Sequence, residues 1–251
     1  KTEGRELDDT EAAAVAKLSK AFQSAINGLA HEPKELDIDG LVDFDRSIFK
    51  SIDLKTDVRR SGVSQQSLNF HADMSERWVA YKDADFSLKM TSDRSDPSQA
   101  GTLAEQEATL NAWDEKFDKA LSDGRGDWDQ MHMLKSTFRA LNKASGDEKV
   151  GDKPAPVQLQ MTENNDQSRF KGLNDFSLSL TQQERSINPL HLEEKDRFSY
   201  SASQSTEETK RGDGTRSLTQ TTHSHRSAAW HQTLDPAFPL ALDTTKASQN
   251  Y

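Results

Sequence analysis

The sequence predicts an α+β fold: an antiparallel sheet built from two similar strand units (about 52–92 and 157–226), with three amphipathic helices packed on one face. Three observations point this way. A seven-residue stretch occurs twice, as Asp-Phe-Ser-Leu-Lys-Met-Thr at 85–91 and Asp-Phe-Ser-Leu-Ser-Leu-Thr at 175–181. Each follows another alternating run, Leu68, Phe70 and Ala72 before the first and Val157, Leu159 and Met161 before the second. Elsewhere apolar residues recur at three- and four-residue steps, the signature of a helical face. The reading is a single domain over 1–251, with an internal duplication of 64–92 and 157–182 and a helical hairpin inserted at 102–144. Residues 1–8, 145–156, 203–216 and 243–251 read as flexible.

The core must be thin. Leu, Ile, Val and Phe together make 46 of 251 residues, and mean hydropathy is -0.88. That share lies near the ~20% level below which chains tend to disorder. The patterning of these residues argues for a fold: a period of two for one dry sheet face, a period near 3.6 for the helices.

In chain order, Asp9 or Thr10 is the expected cap of a first helix, with Glu11 at the positive end of its dipole. Val15, Leu18, Phe22, Ile26 and Leu29 form its expected buried face, and Asn27-Gly28 and Pro33 stop it. From Ile52 the period becomes two: Ile52, Leu54 and Val58, then a turn at Ser61-Gly62, then Leu68, Phe70 and Ala72. A turn near Ser75-Glu76 leads to Val79 or Trp78 with Tyr81, and Phe86, Leu88 and Met90 close the first unit.

After the linker 92–101, Thr102 and Glu105 have capping-box spacing. Leu103, Leu110, Trp113, Phe117 and Leu121 mark a second helix. Asp127 with Gln130 caps a third, with Trp128, Met131, Leu134, Phe138 and Leu141 on its face. The short loop between them contains Arg125-Gly126-Asp127, an integrin-type tripeptide that capping by Asp127 explains without a receptor. The second strand unit runs from Val157 through Phe170, Phe176, Leu178 and Leu180. Phe198, Tyr200 and Ala202 then enter a polar pair of strands, with Gly212-Asp213-Gly214 at the hairpin tip. From Asp235 the chain reads as an extended tail.

Net charge is -10 and the basic residues are scattered among more numerous acids, which excludes the clustered Lys and Arg of a nucleic-acid binder. No stretch approaches the ~18 apolar residues of a membrane span. Absence of cysteine removes disulfides, thiolate metal sites and thiol nucleophiles. There is no Gly-x-Ser-x-Gly, no phosphate loop and no His-Glu-x-x-His. The composition suits a periplasmic or secreted bacterial protein, with a cytoplasmic one as the alternative. A start at Lys1 rather than Met fits a processed piece, a removed signal sequence being one origin and trimming another.

Two clusters have metal-ligand character. Glu35, Asp37, Asp39, Asp43 and Asp45 crowd around Gly40 in a partial calcium-loop pattern, with Asp37, Asp39 and Asp43 as its candidate ligands. Position twelve of that pattern is Arg46, which repels a cation. His223 and His225 lie two apart, so on a strand both rings share one face, and His231 follows six residues later. Such imidazoles are candidate zinc ligands. The expected function is a non-enzymatic binding or interaction module of a bacterial envelope or secreted protein, with a protein or glycan partner. The alternative is a metal-dependent hydrolase using His223, His225 and His231.

Overall fold

The computed structural model describes residues 6–31, 33–60, 63–95, 101–143, 172–184, 192–210, 216–231 and 249–250. It is a mixed helix and strand fold whose centre is an antiparallel sheet. Helices α1 (Asp9–Gly28) and α2 (Asp39–Val42) precede β1 (Ile52–Arg60), β2 (Val63–Ala72), β3 (Glu76–Lys82) and β4 (Phe86–Asp93). The hairpin of α3 (Leu103–Gly124) and α4 (Trp128–Asn142) comes next, then β5 (Phe176–Gln182), β6 (Arg197–Lys210) and β7 (Arg216–His231). The seven strands are neighbours in chain order, all antiparallel. A two-residue β8 (Gln249–Asn250) pairs with Trp230 and His231 at the edge.

Register makes one face dry. Leu68, Tyr81, Leu88, Leu180 and Tyr200 fall in one row, and Phe70, Val79, Met90, Leu178 and Ala202 in the next. All ten are buried. A fully buried Leu or Phe of this kind contributes about 1.5–3 kcal/mol. Ring contacts bring the helical hairpin onto this face: Trp113 and Phe138 meet Phe176 edge-on, at 5.1 and 4.9 Å, and Phe117 meets Tyr200 at 5.8 Å. The opposite face carries Ser87, Lys89 and Thr91 on β4, Ser177, Ser179 and Thr181 on β5, and Ser199, Ser201 and Ser203 on β6, half-buried or exposed.

The two similar seven-residue segments are adjacent antiparallel strands, β4 and β5. Leu88 pairs with Leu180 and Met90 with Leu178, and Phe86 and Phe176 belong to one core cluster. Their flanking contacts match: Asp93 N donates to Asp175 O, and Gln183 N to Asp85 O, both at 2.7 Å. The strand expected at Val157, Leu159 and Met161 lies outside the described residues, as do the linker 145–156, the tip at Gly212-Asp213-Gly214 and the tail from Asp235.

Several local expectations change. Asp8, not Asp9 or Thr10, caps α1, in a reciprocal capping box with Glu11. Val15 and Ile26 are exposed, and α1 buries Ala21 and Ala25 instead. The reason is close approach: a Cβ on Gly40 would sit 2.8 Å from the Ala21 Cβ, so the helix lies on its short side chains. Leu103 and Trp128 are also exposed. Each is the first residue of its helix, where the side chain leans back past the end rather than onto the core. The capping box at Thr102 and Glu105 and the cap at Asp127 form as the spacing predicts.

Residues 203–210, expected to be flexible, are strand. β6 continues to Lys210 in register with β7, although β5 pairs with it only as far as Gln204. The ladder of backbone hydrogen bonds supplies order that side-chain polarity does not forecast.

Candidate functional site

The metal candidates of the sequence do not converge. His223 and His225 are opposite Ser203 and Ser201 on the wet face and both are exposed. His231 is roughly 20 Å further along the strand, at about 3.3 Å per residue. Its backbone N and ring Nδ1 both meet Asp196 Oδ1, at 2.9 and 3.1 Å. Asp37, Asp39 and Asp43 are exposed and alternate with buried Leu36, Ile38, Leu41 and Val42, so they are the wet side of a core-packed segment. Asp43 faces Lys17 at 3.6 Å. Among the described residues, no group of three or more His, Asp or Glu side chains is placed to hold a metal ion.

What the fold does assemble is a cleft of about 440 Å³ at one end of β3, β4 and β5. Its polar walls include Glu76, Asp93, Asp175, Thr91, Ser177 and Gln204. Strand parity places Glu76, Asp93, Thr91 and Ser177 on the wet face, Asp175 immediately precedes β5, and Gln204 comes from the dry side of β6. Thr91 Oγ1 and Ser177 Oγ are 2.8 Å apart, which makes a hydroxyl pair across the floor. The Asp175 carboxylate accepts from Thr206 N at 2.8 Å and from Thr206 Oγ1 at 2.7 Å, which aims it. Gln204 is 3% exposed and its Nε2 donates to the carbonyls of Leu173 and Asn174. Its Oε1 has no hydrogen-bond partner. A buried acceptor left unpaired costs about 1–3 kcal/mol.

Beside the cleft, the same transverse row of the wet face continues from Thr91 to Trp78 and His71. The two rings stack with centroids 5.9 Å apart. His71 is also held between carboxylates: Nδ1 to Asp53 Oδ1 at 2.8 Å, Nε2 to Asp73 Oδ2 at 3.3 Å, and Glu76 Oε1 at 4.0 Å. Burial pushes its pKa down, but the hydrogen bonds to Asp53 and Asp73 outweigh that and the pKa rises. For Asp73, burial opposes ionisation. The Glu76 and Ser75 amides, the Ser75 hydroxyl and His71 prevail, and its pKa falls to about 2. The surrounding carboxylates thus favour the protonated form of His71, which struts this end of the sheet.

Sequence reasoning alone does not find Glu76, Asp93, Asp175 or Gln204. Asp175 opens the later of the two similar segments, and Trp78 sits one residue out of phase with Val79 and Tyr81; both are signals present in the sequence. Gln204 is not recoverable, because a Gln in a run of Ser and Thr carries no mark of burial.

Fold and cleft together define an α+β protein with a helix-backed antiparallel sheet and a polar, carboxylate-lined cleft at one end of its central strands. No protein-family model matches the chain, and neither a curated protein nor a solved structure does. No described helix is long and apolar enough to cross a membrane.

Proposed function

We propose that the protein is a non-enzymatic binding module whose partner is a glycan, seated in the cleft and running over the wet sheet face. The observation that carries this is a cleft lined by Glu76, Asp93 and Asp175 and by the buried Gln204, whose Oε1 has no hydrogen-bond partner. The exposed carboxylates of Glu76 and Asp93 and the half-buried one of Asp175 can accept from sugar hydroxyls, and the Thr91–Ser177 hydroxyl pair both donates and accepts. Trp78 supplies an apolar ring for the face of a sugar, one apolar surface among a few placed polar groups being the usual make-up of a small-ligand site. The setting we propose is a bacterial envelope or a secreted protein, in keeping with the cysteine-free, acidic composition.

The test is calorimetric titration with neutral and amino-sugar oligosaccharides. At least one is expected to bind, and Trp78→Ala and Glu76→Gln are each expected to weaken it about tenfold with the far-UV circular dichroism of the folded parent retained. Silence across the set, or binding indifferent to both substitutions, removes the reading.

A further inference from the structure

A second cleft, of about 190 Å³, opens at the other end of β4, roughly 23 Å away at about 3.3 Å per residue. Its walls include Asp83, Asp85, Asp127 and Asp129, with Lys34 and Gln130. The four carboxylates come from two places in the chain: the β3–β4 turn, and the start of α4, where Asp127 is the cap. The partial positive charge at that helix end, about half an elementary charge, together with Lys34, leaves the cleft strongly negative.

Two details say what it takes. Lys34 Nζ donates to Asp83 Oδ2 at 2.7 Å, and the same oxygen accepts from Tyr81 OH at 2.8 Å. Asp83 Oδ1 meanwhile accepts from the Asp85 and Phe86 amides, at 2.8 and 2.9 Å. Asp83 is therefore saturated by an ammonium and three further donors. The neighbouring acceptor is not: Gln130 is 6% exposed and its Oε1 has no hydrogen-bond partner. A buried carbonyl-type oxygen beside carboxylates complements a donor that carries charge. The room, about six waters at roughly 30 Å³ each, suits an alkylammonium and its first few methylenes. The carboxylates are not grouped to hold a metal ion.

We infer that this cleft binds a primary alkylammonium group, with Gln130 Oε1 and the carboxylates of Asp85 and Asp129 as acceptors. The group is carried either by a free polyamine or by a lysine side chain of a basic peptide. The site is separate from the glycan cleft and does not rest on that reading.

The experiment titrates the full chain by calorimetry with spermidine, with a tetralysine peptide and with magnesium chloride, at 150 mM salt. Spermidine or tetralysine is expected to bind, whichever is tighter naming the source, and magnesium to bind at least tenfold more weakly. The double variant Asp85→Asn/Asp129→Asn is expected to lose affinity at least tenfold. Gln130→Met, which leaves charge unchanged, is expected to lose about threefold to tenfold. A control, Glu6→Gln/Glu207→Gln, removes the same charge elsewhere and is expected to bind like the parent. Because Asp129 is exposed, Asp129→Asn alone serves if the other variants melt early. Equal loss in the control, tighter magnesium binding, or no loss in Asp129→Asn overturns the proposal.

Discussion

Arg77, on the third strand, donates from Nη1 to the Leu141 carbonyl oxygen at 3.0 Å and so closes the C-terminus of α4. The same atom reaches Lys143 O at 2.8 Å. Arg77 is fully buried, among the largest buried side chains of the protein. The last carbonyls of a helix have no partner within it and carry partial negative charge, and a guanidinium answers both needs. Arg77→Met keeps the apolar stem and strands those carbonyls. Its expected cost is about 3 kcal/mol, from charge-assisted bonds worth about 1.5–3 kcal/mol each. Urea unfolding measures it, and a loss under about 1 kcal/mol, no more than an ordinary neutral hydrogen bond is worth, contradicts the capping role.

The strut at His71 makes stability depend on pH in a stated direction. Its pKa is raised in the fold, above the unfolded value of about 6.5. The stabilisation is then fully present below that value and fades as pH rises through the folded pKa. Asp53, Asp73 and Glu76 are the carboxylates that face the ring. Asp73, with a pKa of about 2, stays ionised throughout this window. Parent minus His71→Gln stability is expected to be larger at pH 5.5 than at pH 9. The gain is at most about 1 kcal/mol because Asp53 is 73% exposed. A difference that is flat in pH, or grows towards pH 9, contradicts the arrangement.

Gly40 and Ala21 set how closely α1 lies on α2. An added Cβ at Gly40 would stand 2.8 Å from the Ala21 Cβ, and neither atom is the tip of a side chain that can swing away. Gly40→Ala therefore separates the two elements. The overpacking costs about 1–3 kcal/mol, of which better helix propensity returns up to about 1 kcal/mol. Adding Ala21→Gly relieves the contact, so the double-mutant cycle is expected to show coupling of at least about 0.5 kcal/mol. Strict additivity of the two changes means that the helices are held apart by something else.

Much of the fold is legible because it is written in alternation. Leu68, Phe70, Val79, Tyr81, Leu88 and Met90 all lie where a period of two puts them. The caps at Thr102 and Asp127 are equally plain, since they depend on residues three apart. What escapes is the transverse row at one sheet end, where Arg77, Ser92 and Gln204 occupy dry-face positions. Each is polar, so each reads as wet, and only tertiary partners reverse that: Leu141 O for Arg77, Asn142 for Ser92, Leu173 O for Gln204. The larger cleft borders this row, and for the same reason it is invisible in the sequence. Periodicity reports where apolar side chains go and is silent on a buried polar group, whose signal lies in residues distant along the chain.

The two seven-residue segments give the sharpest case of similar sequence in unequal surroundings. Phe86 and Phe176 hold the same place in their stretches and are 4% and 5% exposed. Phe176 meets Trp113 and Phe138 edge-on, at 5.1 and 4.9 Å, beneath the helical hairpin. Phe86 meets Tyr81 at 5.3 Å and borders the acidic cleft. Edge-to-face pairs add about 0.5–1.5 kcal/mol beyond burial; each ring borders a cleft, but Phe176 has two edge-on partners where Phe86 has one tilted neighbour. Phe176→Ala is expected to cost about 3–5 kcal/mol and Phe86→Ala at least about 1 kcal/mol less, read by urea unfolding of both variants. Equal losses would mean that the sheet pairing shared by the two strands, rather than the helices above Phe176, decides what each ring is worth.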